Sequence, residues 1–214
     1  MCTQMKRRIL LATTNPGKLA ELSDLLGTVN QQIEWCCLKS FPDVGEVVED
    51  GDAFIENARK KALGYAEATG LWTIADDSGL VVDALNGEPG VYSARYAADV
   101  CASDNRKDID IANTKKVLVH LKDTPDKDRT ARFMCSLCLA APGAILLETE
   151  GTVEGTINHS PVGENGFGYD PIFYIPSLNQ TAAQLDHRAK NRISHRGHAI
   201  ANFKPLLEKL LGTK

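Results

Sequence analysis

The chain has 214 residues, 43% hydrophobic and 24% charged, which is the balance of an ordinary globular protein with a large core. Its formal net charge of −4 excludes a protein that binds DNA or RNA through an overall basic field. No segment approaches the ~18 uninterrupted apolar residues of a membrane span, and the apolar run after Lys6, Arg7 and Arg8 is too short for a signal peptide. We therefore expect a cytoplasmic protein with one domain over residues 1–214 and no separate linker.

The predicted elements, in chain order, indicate an α/β protein. Predicted strands cover residues 9–13, 71–75, 80–85, 132–140, 145–157 and 172–175. Predicted helices cover residues 16–26, 51–69, 104–121 and about 200–210, and their apolar residues recur at helical spacing. Residues 76–79 are expected to interrupt a strand. Helices alternate with strands at both ends and a hairpin sits in the middle, so the pattern predicts a mixed sheet flanked by helices.

The segment after the first strand can bind an anion. It carries hydroxyls, an amide and a lysine at a helix start, on Thr13, Thr14, Asn15, Pro16, Gly17 and Lys18. Free backbone N–H groups and the helix dipole favour an anion there. The Walker A pattern is absent. A well-capped turn, with Asn15 as the N-cap, explains the segment about as well.

Two adjacent acids are the strongest sign of chemistry. Asp76 and Asp77 follow an apolar run at a predicted strand end, where open α/β sheets place ligand sites. Hard carboxylate oxygens suit Mg²⁺, and Asp77 can also orient or deprotonate a water. If strand geometry continues, the two side chains diverge, and Asp76 then supports the turn or reaches the metal through water. On the preceding helix, Asn57 and Lys61 share a face beside the buried stripe and can face a cleft.

Two later segments contribute an aromatic and a basic cluster. Glycines surround Phe167 in residues 163–171, which lets the backbone approach a flat ligand while the ring stacks on it. Residues 190–197 gather cations and donors before a helix, and suit phosphate or a nucleobase edge. The plain structural alternatives are a glycine-rich loop with one buried aromatic and a solvated basic turn.

Cys135 and Cys138 form a C-x-x-C pair, a spacing found in some redox and zinc sites. They fall in a predicted buried strand, where residues three apart point to opposite faces. The sequence has no second C-x-x-C to complete four zinc ligands. The pattern therefore favours two buried core cysteines.

Six segments, taken in order, closely resemble the inosine triphosphate pyrophosphatase family, the dITP/XTP pyrophosphatases. They read TTNPGK, FIENA, ADDSGL, PGVYSARY, GFGYDPIF and ISHRG. The resemblance implies Mg²⁺-dependent hydrolysis of deaminated purine nucleoside triphosphates (ITP, dITP, XTP) to the monophosphate and pyrophosphate. It also implies an elongated mixed α/β fold of two lobes with a substrate groove between them, and a homodimer. The expected partner is a small-molecule nucleotide, with no nucleic acid and no membrane.

The resemblance also assigns roles to individual residues. Residues 13–18 match the triphosphate-binding loop, and Asp77 matches the catalytic, metal-linked acid, with Ser78 beside it as a substrate contact. Lys61 matches a lysine near the phosphates, and Glu49 lies at or next to a metal-binding glutamate. The residues matched around the base and sugar are Phe167, Gly168, Tyr169, Asp170, Lys190, His195 and Arg196.

One departure from the family pattern is visible. The family often has two acids before the lysine matched by Lys190, where this chain has Arg188 and Ala189. Local pairing of Lys190 is therefore expected to differ.

Base selection follows from the direction of hydrogen bonds. Hypoxanthine and xanthine carry an acceptor oxygen at C6, where adenine carries a donor amine, so a donor such as Arg196 distinguishes them. Guanine shares that oxygen, and the sequence does not show what rejects it. Two alternatives stay open: a pyrophosphatase for another modified nucleotide, and a nucleotide-binding regulatory module without catalysis.

Overall fold

The computed structural model describes residues 6–27 and 33–212 and contains a mixed seven-stranded sheet. The strands are β1 (Arg7–Leu11), β2 (Ile33–Cys37), β3 (Trp72–Val82), β4 (Thr130–Ala141), β5 (Ala144–Ile157), β6 (Phe173–Ile175) and β7 (Gln180–Thr181). The helices are α1 (Pro16–Leu26), α2 (Phe54–Thr69), α3 (Arg106–His120), α4 (His187–Ile193) and α5 (His195–Leu210). The strand order is β2-β1-β3-β4-β5-β6-β7. Strand β1 pairs in parallel with β2 and β3, while β6 pairs antiparallel with β5 and β7, so the predicted mixed α/β class is confirmed.

The chain forms two compact units. Unit 1 comprises the described residues within Met1–Asp77, Cys135–Gly151 and Arg196–Lys214. Unit 2 comprises Ser78–Met134 and Thr152–His195. Among the described residues, no helix is both long enough and apolar enough to cross a membrane.

Unit 1 packs helices against both faces of its strands. Helices α1 and α5 bury Leu22 and Phe203 in one apolar cluster, which also contains Ile74 of β3. Helix α2 buries Ala58 in a second cluster, which contains the next residue of β3, Ala75. Because consecutive strand residues point to opposite faces of the sheet, the side chains of β3 point alternately toward α1 and α5 and toward α2. This alternation decides where the acids after Ala75 point.

The ends of the first two helices follow from local chemistry. Asn15 is the N-cap of α1 as predicted, and its side-chain oxygen accepts the backbone N–H of Gly17 at 2.9 Å and of Lys18 at 3.2 Å. Gly70 ends α2 with φ of +70°, a conformation that favours glycine. Helix α2 begins at Phe54, later than the sequence indicated.

Strand β3 runs without a break through Asp76 and Asp77, so the predicted interruption over residues 76–79 was wrong. The expectation that Asp76 supports a turn was wrong for the same reason. Polar residues end strands when their side chains need solvent, but here each carboxylate finds a buried cationic or amide partner. The strand ends at Val82, and a short 3₁₀ turn over Asp83–Leu85 replaces its predicted continuation.

Unit 2 has its own core. Leu80 of β3 and Val117 of α3 lie in it, together with the rings of Phe133 and Phe173, whose centroids are 4.4 Å apart. Residues 190–197 do not form the solvated turn that was considered as an alternative. Asp186 caps α4 by accepting the Ala189 N–H at 2.8 Å, and this places Lys190 inside a helix.

Candidate functional site

Asp76 lies at the centre of a buried charge cluster in unit 1. It is 1% exposed, and its Oδ2 is 3.0 Å from Lys18 Nζ and 3.2 Å from Arg196 Nη2. Arg196 also binds Glu21 of α1. Burial alone would raise the pKa of Asp76, but the charges of Lys18 and Arg196 outweigh it and hold that pKa well below its usual range. Asp76 is therefore ionised and turned toward α1 and α5.

Asp77 points the other way, toward α2. Asn57 donates from Nδ2 to Asp77 Oδ2 at 3.1 Å, and Lys61 Nζ lies 3.9 Å from Oδ1. Burial raises the pKa of Asp77, against the opposing effect of Lys61 and Lys18. Asn57 is itself fixed, because its Oδ1 accepts the Gly51 N–H at 2.8 Å. The two adjacent carboxylates thus have different surroundings.

Lys61 joins Asp77 to a second acid. Its Nζ lies 2.8 Å from Glu49 Oε2, and the residue is 8% exposed. Burial would lower the pKa of Lys61, but Asp76, Asp77 and Glu49 outweigh it and raise that pKa. One ammonium therefore draws the carboxylates of Glu49 and Asp77 toward a single point, as a metal ion bound by both would.

This donor set fits Mg²⁺. Among the described residues, no three His, Cys, Asp or Glu side chains form a ready metal cage. Mg²⁺ does not need one, because it commonly uses one or two carboxylates and completes its shell with water and substrate phosphates. The two acids on Lys61 supply that number of hard oxygen ligands.

The predicted phosphate loop lies at the junction of β1 and α1. Thr14 and Pro16 are exposed, while Thr13 is half-buried and its Oγ1 accepts the Asn15 N–H at 3.2 Å. The cap bonds of Asn15 already occupy the N–H groups of Gly17 and Lys18. An anion at this helix start would therefore compete with Asn15 for those donors.

The predicted base and sugar contacts in unit 2 form a second group. Lys190 Nζ donates to Asp170 Oδ2 at 2.6 Å and lies 4.5 Å from the centroid of the Phe167 ring. The same Asp170 oxygen accepts the Phe167 N–H at 2.8 Å. Lys190 thus pairs with Asp170. The two residues directly before Lys190, where acids were expected from the resemblance, are Arg188 and Ala189.

Two other predicted contacts, Tyr169 and His195, have structural partners in unit 2. Tyr169 is buried and donates from its hydroxyl to the Ser93 carbonyl at 2.9 Å, and burial raises its pKa. His195 is 7% exposed and stacks on Phe133 at 4.9 Å between centroids. Ser78 is half-buried on β3.

The structure brings together Lys18, Glu49, Lys61, Asp77 and Arg196 in unit 1, and Phe167, Gly168, Asp170 and Lys190 in unit 2. Arg196 is 1% exposed and bonded to two carboxylates, so pairing with a base oxygen requires exchange of one of these bonds.

Sequence reasoning missed Glu21, which is 3% exposed. Its position beside Leu22, on the apolar side of α1 and one turn after Lys18, was the available signal.

A model of the Ham1 family matches residues 9–206 of this chain. The chain belongs to the Ham1 family. The resemblance to the dITP/XTP pyrophosphatases, which rested on the six motifs, is thereby confirmed, because relatives similar to this chain are named dITP/XTP pyrophosphatase.

One such relative is the dITP/XTP pyrophosphatase of Desulforamulus reducens, 47% identical over 203 residues, or 95% of this chain and 96% of the relative. Another is the dITP/XTP pyrophosphatase of Geobacter sulfurreducens, 47% identical over 92% of this chain and 94% of its own length.

Solved structures of the Ham1 family share the fold. A HAM1 protein from Coxiella burnetii superposes with a TM-score of 0.83 at 42% identity, over 95% of this chain and 99% of that one. The Ham1 protein of Staphylococcus aureus gives a TM-score of 0.81 at 40% identity, over 95% and 100%.

Proposed function

We propose that this chain hydrolyses deaminated purine nucleoside triphosphates, such as ITP, dITP and XTP, to the monophosphate and pyrophosphate. The observation that carries this proposal is the buried centre in which Asp77 lies between Asn57 and Lys61, with Glu49 on the same lysine. The names of the curated Ham1 relatives support the substrate class. Such an enzyme removes damaged nucleotides from the pool.

Lys18 and Lys61 are the proposed contacts for the triphosphate, together with the polar residues of the loop over residues 13–18. Phosphoryl chemistry depends mainly on positioning and on neutralising charge, and the half-buried Lys18 and the buried Lys61 provide both. Lys18 already holds Asp76, and Lys61 already holds Glu49, so both ammonium groups are fixed before substrate arrives. Their charge also offsets that of the departing pyrophosphate.

Asp77 and Glu49 would hold the Mg²⁺ ion. When bound, the metal neutralises phosphate charge and activates a water for attack. Asp77 is in addition the proposed group that orients this water or accepts its proton, and its raised pKa favours the second role. The Asn57 bond engages Oδ2 of Asp77, and Oδ1, on the side of Lys61, would be the oxygen offered to the metal.

The proposed contacts for the base and sugar are Phe167, Gly168, Tyr169, Asp170, Lys190, His195 and Arg196. Ser78, next to Asp77, is a further proposed substrate contact. Phe167 offers a ring for stacking, held by the cation of Lys190. Donors facing the C6 oxygen would favour hypoxanthine and xanthine over adenine, because adenine places a donor against a donor.

The decisive experiment measures pyrophosphate release from ITP, dITP, XTP and ATP, each with Mg²⁺ and with EDTA. We expect turnover of the three deaminated nucleotides, much slower turnover of ATP, and loss of all activity in EDTA. Equal rates on ITP and ATP, or metal independence, would contradict the proposal. Binding of ITP without turnover would point to a regulatory module instead.

We further propose that the chain is a homodimer in the cytoplasm, as the sequence resemblance implied. Light scattering coupled to size exclusion measures the mass directly. A mass of twice 23.3 kDa is expected, and a monomer at assay concentration would contradict it.

A further inference from the structure

Helix α3 holds the glycine-rich loop over residues 161–171 through two side chains one turn apart. Asp110 Oδ2 accepts the backbone N–H of Gly168 at 2.9 Å. Thr114 Oγ1 lies 3.4 Å from the Gly168 carbonyl oxygen, to which it donates. Residues four apart share one face of a helix, so both polar groups of one loop residue are bound from α3. Gly168 has φ of +61°, which glycine adopts without strain.

Gly168 lies in the middle of the segment that carries the proposed base contacts. Its neighbour Phe167 donates its N–H to Asp170, and Asp170 also accepts from Lys190 at 2.6 Å. The Lys190 ammonium lies over the Phe167 ring. Phe167, Asp170 and Lys190 therefore contact one another, and the bonds from Asp110 and Thr114 to Gly168 attach this group of residues to α3.

The intrinsic helix propensity of aspartate does not account for Asp110 at this position of α3. Aspartate is a poor helix-forming residue outside the first turn, because its short side chain competes for backbone groups. The Asp110 side chain is 13% exposed, and its other oxygen is 2.9 Å from Arg106 Nη2. One carboxylate thus pairs with a cation on its own helix and with an amide of the loop.

We propose that Asp110 is a positioning residue for nucleotide binding, which holds Gly168 and so orients Phe167 and Asp170 toward the base. This inference rests on the proposed function. It makes Asp110 a determinant of substrate affinity and not of phosphate chemistry, because Asp110 contacts the backbone of the loop that carries the proposed base contacts.

The test compares three variants by ITP kinetics. Asp110→Ala removes the acceptor, and we expect KM for ITP to rise about 10-fold with kcat within about 2-fold, the effect of one buried hydrogen bond. Asp110→Asn keeps an acceptor oxygen and should restore KM to near the wild-type value. Arg106→Gln removes the ion pair but leaves the Gly168 bond, so it should also leave KM unchanged.

A KM for Asp110→Ala equal to that of wild type would overturn the inference. An equal rise in KM for all three variants would also overturn it, since KM would then depend on the Arg106–Asp110 ion pair and not on the bond to Gly168. If Asp110→Ala does not fold, Thr114→Val against Thr114→Ser tests the other bond to Gly168 in the same way.

Hydrogen exchange of peptides covering residues 163–171 gives a readout that needs no turnover. Faster exchange is expected in Asp110→Ala but not in Asp110→Asn, and equal exchange in both would overturn the anchoring role. Wild-type protein that fails to cleave ITP would overturn the proposed function and with it the affinity role. Active wild-type protein with an unaffected Asp110→Ala variant would overturn this inference alone.

Discussion

Asp76 and Asp77 are adjacent in the chain, yet their surroundings shift their pKa values in opposite directions. Lys18 and Arg196 hold the pKa of Asp76 low despite burial, while burial raises the pKa of Asp77. A permanently ionised Asp76 suits a structural role, since it pairs with the buried Arg196 and the half-buried Lys18. The raised pKa of Asp77 suits its proposed roles, in which the carboxylate accepts a proton from water or binds the metal.

Replacing Asp77 with asparagine tests the role of its charge. The amide is isosteric and still accepts a hydrogen bond from Asn57, so we expect the thermal midpoint to stay near that of wild type. Loss of the charge should lower kcat for ITP by about 100-fold or more, the scale of general acid–base catalysis. Pyrophosphate release measures the rate, and full activity of Asp77→Asn would remove Asp77 from the mechanism.

Replacing Asp76 with asparagine should mainly reduce stability. Arg196 and Lys18 would lose their shared buried anion, and breaking a buried ion pair from one side costs about 3 kcal/mol. Urea unfolding measures this free energy. The matched control is Asp50→Asn, which removes the exposed pair with Lys60 and should leave the urea midpoint unchanged. Equal effects of the two substitutions would mean that burial of the Asp76 cluster adds no stability.

At the scale of elements, the caps of α1 and α3 form a natural comparison. Asn15 and Asn105 both cap a helix through the side-chain oxygen. Asn15→Ala and Asn105→Ala should each cost about 1 kcal/mol of unfolding free energy. Only Asn15→Ala should also change KM for ITP, because only that cap lies in the proposed phosphate loop, where it occupies the N–H groups of Gly17 and Lys18. A similar change in KM for both variants would show that the effect comes from stability.

Strand β4 places its two cysteines on opposite faces of the sheet. Cys135 packs in the cluster of α1 and α5, and Cys138 in the cluster of α2, as the alternation of a strand predicts. Burial raises the pKa of each thiol to about 12. Iodoacetamide at pH 8 should therefore leave both unmodified in native protein, while the half-buried Cys37 and Cys101 react faster than either. Mass spectrometry of tryptic peptides checks this, and early modification of Cys135 or Cys138 would contradict their burial.

The sequence predicted most elements because periodicity and capping residues are local signals. The apolar stripe of α2 and the Asn15 cap needed no tertiary information. Strand β3 was misread because the run of residues 76–79 is polar, and only the tertiary partners Lys18, Arg196 and Asn57 explain why a polar run stays in a sheet. Glu21 was missed for the same reason, since its partner Arg196 is distant along the chain.

At the scale of the whole molecule, three strands contain residues of both compact units. Strand β3 passes from unit 1 to unit 2 after Asp77, β4 passes from unit 2 to unit 1 after Met134, and β5 passes back after Gly151. The strand order places these three strands side by side. Loss of either unit would therefore disrupt strands that the other unit also uses.

One cooperative unfolding transition is the expected result in denaturant. Both tryptophans, Trp35 and Trp72, lie in unit 1, whereas circular dichroism reports on helices of both units. Fluorescence and circular dichroism should give coincident midpoints in urea. Two separated midpoints would show that the units unfold independently. The sequence could not predict this sharing, because strand order depends on pairings between distant segments.

The alternation of β3 also determines which mutations this region can tolerate. Asp76 and Asp77 have their separate surroundings only because an odd and an even position of one strand face different helices. Deleting one residue from 72–75 would turn the Asp77 side chain toward α1 and α5, and the Asp76 side chain toward α2. Both acids would still be present, yet each would meet the partners of the other. Changes of length in this strand are therefore more damaging than most changes of side chain.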